Sequence, residues 1–197
     1  MISILDYGAG NLRSVENTLG AIGAEYELVR DAESLRRATK IILPGVGHFG
    51  QMMRAIDEMG VRDALVERIR AGVPFLGICL GLQALYESSE EAPESRGLGL
   101  FEGRIEKFDG GMRVPHMGWN SLQRARESSL LKGTGDAPYL YFANSFYASA
   151  GPEASAICEY GVRFAAVIEQ GNISAVQFHP EKSGAVGLKI MGNFACW

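Results

Sequence analysis

Gly77-Ile78-Cys79-Leu80-Gly81 ends an apolar run and opens a helical pattern, with Cys79 at the bend. Glycines on either side of a thiol let the chain take a strained strand-to-helix turn at low steric cost. Such a turn exposes the sulfur and sets the first backbone N–H groups of the helix beside it. The arrangement is a nucleophile elbow, built in hydrolases as G-x-S-x-G, with sulfur here in place of oxygen. It restricts the fold to one in which a strand runs straight into a helix.

The rest of the first half agrees. Residues 2–5, 26–29, 41–43 and 75–78 are strand-like, and Pro44-Gly45 reads as the breaker that closes the third of them. Between them Val15, Leu19 and Ile22 recur at helical spacing, Asp31 is placed to cap a short helix, and residues 51–59 and 61–71 carry two further helical patterns. Strands alternating with helices imply βαβ units and a parallel sheet.

The second half changes character. Short strand candidates at 104–108, 118–123, 140–142, 155–159, 165–169 and 173–178 are separated by glycine, proline and asparagine. Asp109-Gly110-Gly111 and Gln170-Gly171-Asn172 read as hairpin turns. A last helix from about residue 185 presents Val186, Ile190 and Phe194 on one face. With no repeat or linker, the expected fold is a single α/β domain over residues 1–197. Its central sheet is mixed and mostly parallel, flanked by helices, with the strand-rich second half attached.

Several functions are disfavoured. A net charge of −4 shows no basic face for nucleic acid. The longest uncharged run, 72–86, contains Pro74, Gly77 and Gly81 and is shorter than the roughly 18 apolar residues of a membrane span. Met1-Ile2-Ser3-Ile4-Leu5-Asp6 has no basic leader, so no secretory signal is expected. The three cysteines, Cys79, Cys158 and Cys196, make a poor disulfide framework and suit a reducing, cytoplasmic compartment. His48, His116 and His179 lack zinc-ligand spacing, so neither metal nor cofactor is expected. Gly8-Ala9-Gly10 is followed by Arg13 where a dinucleotide fingerprint needs glycine, and reads as a tight strand-to-helix turn.

A thiol attacks an amide only as thiolate, which a helix N-terminus and a nearby imidazolium both favour. Gln177-Phe178-His179-Pro180-Glu181 offers that imidazole. Pro180 pushes His179 toward extended backbone, where residues i and i+2 face one side. Glu181 is then placed to fix the imidazole tautomer, and His179 to protonate the departing amine. The Leu80 amide is the natural first oxyanion donor. A second fits Gly45-Val46-Gly47, where flanking glycines let the Val46 N–H reorient.

These segments resemble the class I (triad) glutamine amidotransferases. Gly77-Ile78-Cys79-Leu80-Gly81-Leu82-Gln83 is similar to the family's nucleophile segment, and Gln177-Phe178-His179-Pro180-Glu181 to its His/Glu segment. Asp6-Tyr7-Gly8-Ala9-Gly10-Asn11, Leu43-Pro44-Gly45-Val46-Gly47 and Val114-Pro115-His116-Met117-Gly118-Trp119-Asn120 narrow the resemblance to the branch serving histidine biosynthesis. It implies hydrolysis of L-glutamine to glutamate and ammonia. The ammonia would pass to a separate cyclase subunit, a (β/α)8 barrel, in a heterodimer.

Carried over residue by residue, Cys79, His179 and Glu181 match the triad, and Val46 and Leu80 the oxyanion donors. Gly45, Gly47, Gln83, Glu91 and Ser145 fall at substrate positions, and Trp119, Asn120 and Lys182 on the face toward the cyclase. Asn144 and Phe146 depart from the imidazole and phenol usual there.

Other readings stay open. A different triad amidotransferase, serving guanylate, anthranilate or pyridoxal phosphate synthesis, is one. A stand-alone cysteine hydrolase would turn over without a partner, and a silent binding module would not need Cys79, His179 and Glu181 together.

Overall fold

Strands β1 (Ile2–Leu5), β2 (Tyr26–Val29), β3 (Ile41–Gly45) and β4 (Phe75–Cys79) alternate with helices α1 (Leu12–Ala21), α2 (Ala32–Arg37), α3 (Phe49–Glu58) and α4 (Arg62–Arg70). The computed structural model describes residues 1–8, 11–109 and 111–197. After β4 come a four-residue helix α5 (Leu80–Gln83), then β5 (Tyr86–Ser89), β6 (Phe101–Lys107), β7 (His116–Ser121), β8 (Gln123–Arg124) and β9 (Tyr139–Asn144). The chain ends with β10 (Phe146–Ala148), β11 (Ala154–Tyr160), β12 (Val162–Gln170), β13 (Ile173–Val176), a 3-10 turn at Pro180–Lys182 and α6 (Gly184–Ala195).

The central sheet has eight strands in the order β2-β1-β3-β4-β13-β12-β11-β8. From β2 to β13 the neighbours are parallel, and beyond it they are antiparallel. Every residue of β1, β3 and β4 is buried, as expected for parallel strands covered on both faces. Their side chains alternate between two cores. Leu5, Leu43 and Phe75 pack with residues of α2, α3 and α4, whereas Ile4, Ile42, Leu76 and Ile78 pack with those of α1 and α6. Truncating Phe75, wholly buried, to alanine would cost about 3–5 kcal/mol.

Two expected boundaries move. Pro44-Gly45 does not close β3; the strand continues through both and pairs Pro44 with Ile78 and Gly45 with Cys79. Proline is tolerated there because the recorded pairing with β1 ends at Ile42, so the side without an N–H has no ladder to break. Helix α3 begins at Phe49 rather than 51 because the His48 side chain caps it, accepting from Gly50 N at 3.1 Å. Asp31 caps α2 as expected, accepting from Ser34 N at 2.8 Å.

Gln170-Gly171-Asn172 does form a hairpin, between β12 and β13. Asp109-Gly110-Gly111 does not join a pair: β6 sits between β10 and β5 in one small sheet, while β7 pairs with β9 in another. Gly110, like Ala9 and Gly10 of the first turn, lies outside the described residues. Both small sheets lie beside the carboxyl ends of β3, β4 and β13, where ligands bind in open α/β sheets.

Candidate active site

Cys79 has φ 52° and ψ −103°, the only non-glycine residue with positive φ among the described residues. Such a conformation costs about 1–3 kcal/mol and persists only where the surroundings enforce it. Three glycines do so by letting backbones touch. A Cβ on Gly77 would lie 2.6 Å from the Gly81 carbonyl oxygen, and one on Gly81 would strike the Leu43 carbonyl. One on Gly45 would meet Leu80 Cβ at 2.6 Å. The elbow is therefore clamped onto β3, which brings Gly45-Val46-Gly47 alongside Cys79.

β13 lies next to β4 with Val176 opposite Ile78, so the chain leaves it level with the elbow. His179 is 2 % exposed. Its backbone is held at both ends: its N–H donates to Tyr141 O at 2.9 Å, and Ser183 Oγ donates to its carbonyl at 2.7 Å. Nδ1 stands 2.8 Å from Glu181 Oε1, which leaves Nε2 for the thiol. The route to this contact differs from expectation. His179 is extended (φ −102°, ψ 97°), but Pro180–Lys182 turn as a 3-10 helix, so Glu181 reaches back through a turn rather than along a strand. Proline suits the first position of such a turn because its missing N–H would have no partner there.

Burial by itself would lower the basicity of His179. The Cys79 sulfur, as a nearby negative charge and hydrogen-bond partner, and then the Glu181 carboxylate outweigh it and push the pKa up to about 10. Cys158, by contrast, is pushed up to about 12, chiefly by burial, and has no imidazole or carboxylate-held partner of this kind among the described residues. It is filler in β11.

A cavity of about 330 Å³ opens over the sulfur, lined by Val46, Gly47, Cys79, Leu80, Gln83, Glu91, Asn144, Ser145, His179 and Lys182 among others. Of the residues expected at substrate positions, only Gly45 stands behind the wall, paired with Cys79. Two of the rest already have partners. Gln83 Nε2 donates to Phe146 O at 2.9 Å, and Glu91 Oε2 accepts from Phe49 N at 2.7 Å, capping α3. Asn144, 4 % exposed, donates to Phe146 O at 3.0 Å. A larger hollow of about 1020 Å³, between α3, α4 and residues 94–98, contains neither cysteine nor histidine.

Two residues of the quoted motifs had been given no role of their own. Tyr7 is buried with its hydroxyl unpartnered among the described residues. Burial raises its pKa; the Val46 amide opposes that and Cys79 adds to it, so the ring stands close to both. Gln177 is wholly buried and donates to Cys79 Sγ. Its two-residue spacing from His179 was the available signal.

The family model for glutamine amidotransferase class-I matches residues 3–196. The chain belongs to the class I glutamine amidotransferases. It is 44% identical to imidazole glycerol phosphate synthase subunit HisH of Desulfitobacterium hafniense over 199 residues, covering 100% of this chain and 94% of that one. The Methanothermobacter thermautotrophicus subunit of the same name is 47% identical over 195 residues, covering 98% and 97%. A solved glutamine amidotransferase superposes with TM-score 0.77 at 23% identity, covering 100% and 99% of the two chains, a likeness of fold.

Beside the cavity this amidotransferase carries an exposed aromatic face. Met117, Trp119 and Tyr139 are 64%, 55% and 61% exposed. Trp119 meets Tyr141 edge to face at 6.1 Å, and Lys182 Nζ lies 5.7 Å from the Tyr141 ring centre. Asn120, expected on the same face, alternates to the other side of β7. There it donates to Glu159 O at 3.0 Å and ties β7 to β11. Among the described residues no group of His, Cys, Asp and Glu could hold a metal ion, and no helix is long and apolar enough to cross a membrane.

Proposed function

We propose that this amidotransferase is the glutaminase subunit of imidazole glycerol phosphate synthase. It would hydrolyse L-glutamine and hand the ammonia to a cyclase subunit, a (β/α)8 barrel, in a cytoplasmic heterodimer. The thiolate of Cys79 attacks the side-chain amide carbon, and the carbonyl becomes an oxyanion received by the Leu80 and Val46 amides. His179 gives its proton to the amide nitrogen, so ammonia rather than its anion leaves, and a thioester remains. Neutral His179 then takes a proton from water, whose oxygen attacks the thioester. Glutamate departs and the thiolate is restored.

The observation that carries this reading is one juxtaposition. A cysteine forced to positive φ shares a cavity with a histidine whose far nitrogen is held by a buried carboxylate. Gly47, Gln83, Glu91 and Ser145 line the rest of the cavity, and Glu91 is the group suited to a substrate ammonium. Met117, Trp119 and Tyr139 stand exposed together on one side of the β7–β9 pair, and clustered apolar exposure of this kind supports a docking partner. Lys182 and Tyr141 join that face to the cavity rim.

Control is proposed at Val46. Gly47 sits at φ +99°, and the peptide between two glycines can turn at low cost. An amide turned away removes one oxyanion donor, worth about 10²–10³ in rate. The test is ammonia release from glutamine by the chain alone, by the chain with a cyclase subunit and its ligand, and by Cys79→Ala. Strong stimulation by the partner and loss in Cys79→Ala are expected. A full rate without any partner would point instead to a stand-alone hydrolase.

A further inference from the structure

The sulfur of Cys79 has a neighbour that the hydrolytic steps above leave idle. Gln177 Nε2 donates to Cys79 Sγ at 3.6 Å, an ordinary length for a bond to sulfur. The placement follows from the sheet. β13 pairs with β4 through Val176 and Ile78, so one residue further along each strand Gln177 comes level with Cys79.

Which end of the amide faces the sulfur is fixed from a distance. The chain of donors starts at the Phe146 carbonyl oxygen, which can only accept. Gln83 Nε2 donates to it at 2.9 Å and also to Gln177 Oε1 at 3.1 Å. With its oxygen committed to Gln83, Gln177 has only its NH₂ left to present to the sulfur. Both glutamines are buried, at 4 % and 0 % exposure, so the order is shielded from competing water.

We propose that Gln177 is a further catalytic residue of this site, donating to the Cys79 sulfur to hold it as thiolate, and that Gln83 is the positioning residue that orients the Gln177 amide. The proposal deepens the glutaminase reading and rests on it. A donor aimed at a group favours that group's charged form, and bonds to an ionised acceptor are the stronger ones. A thioester sulfur accepts weakly, so the bond is strongest when the sulfur is free. That holds in the resting enzyme and again as water cleaves the thioester and the thiolate leaves. Gln177 transfers no proton; it biases where the single proton shared by Sγ and His179 resides. Being neutral, it does so without displacing the imidazolium by charge repulsion.

The experiment reads Cys79 without glutamine. Inactivation of the full chain by iodoacetamide is followed against pH, with thiolate absorbance near 240 nm as the spectroscopic signature. Cys79→Ala serves as the blank for Cys158 and Cys196. Gln177→Leu should move the half-point of both profiles up by about one pH unit, slowing alkylation near neutral pH about tenfold. Gln177→Glu, nearly isosteric and still able to accept from Gln83, should move it further by setting an anion against the sulfur. Gln83→Leu should give a smaller shift in the same direction. If Gln177→Leu does not fold, the Glu variant carries the test. Folded variants with the half-point of the parent chain would overturn the proposal. Because the readout needs no turnover, a chain that failed to hydrolyse glutamine would still report on this bond.

Discussion

Glu181 Oε1 lies 2.8 Å from His179 Nδ1, with the two side chains 2% and 3% exposed. A carboxylate so enclosed cannot be replaced by solvent if it is removed. It holds the ring by Nδ1 and leaves Nε2 free, and in the proposed reaction it would stabilise the imidazolium during both acylation and hydrolysis.

Glu181→Gln should therefore lower kcat for glutaminase by about 10²–10⁴ while leaving KM nearly unchanged. Ammonia release measured with the cyclase partner present checks this. A variant whose rate stays within twofold of the parent would show that His179 orients itself.

The glycine clamp gives a prediction on stability. Gly81→Ala drives a Cβ into the Leu43 carbonyl, a backbone atom that cannot swing aside. A loss of about 1–3 kcal/mol or more is expected in denaturant unfolding, with activity falling further because the Leu80 amide moves with the turn. Gly20→Ala is the contrast. It lies exposed on α1 with nothing within 4 Å of the added Cβ, and should gain about 0.5–1 kcal/mol.

The central parallel strands β1, β3 and β4 were legible because they are buried on both faces and so read as nearly unbroken apolar runs. The elbow was legible for a different reason: two glycines around a cysteine admit few backbones. The small sheets were not. In β5 only Tyr86 and Ser89 are buried, and its sequence continues into Glu90 and Glu91, so it reads as a solvated acidic run. β6 pairs with β10, whose three residues lie some forty positions away, and local turn chemistry at 109–111 carries no trace of that pairing. Within the site, Cys79, His179 and Glu181 are signalled by motif chemistry. Gln177 is not, because its neighbour is set by strand register. Asn120 and Trp119 were grouped on one face, and only the strict alternation of β7 separates them.

Two buried histidines give the protein opposite responses to pH. The pKa of His179 is raised to about 10 from the ordinary 6.5, so its contribution is complete below 6.5 and is lost as pH rises toward 10. His116 is lowered to about 4 by burial, stacked against Tyr160 and Phe142 at 4.0 and 4.9 Å between ring centres. Its contribution is complete above 6.5 and is lost as pH falls toward 4. Thermal unfolding across pH 4–10 should show a maximum near 6.5. Cys79→Ala should flatten the alkaline side selectively, since the sulfur's charge is the first of the effects raising His179. His116→Phe should flatten the acid side. A Cys79→Ala curve parallel to that of the parent would mean that the alkaline loss arises elsewhere.

Trp119 separates docking from folding. Its ring is 55% exposed, and its aromatic neighbour Tyr141 is fixed independently, through the backbone bonds of Tyr141 to His179 and Ser183. Trp119→Ala should change folding stability by no more than about 0.5 kcal/mol, yet weaken association with a cyclase subunit by about 2 kcal/mol or more, roughly thirtyfold. Asn120→Ala should do the reverse. Losing its bond to the Glu159 carbonyl costs about 0.5–1.5 kcal/mol of stability and leaves the aromatic face intact. Isothermal titration with the partner, paired with urea unfolding of the free chain, distinguishes the two variants. Equal loss of affinity in both would place Asn120 in the contact and mean that the face extends beyond the aromatic side of β7.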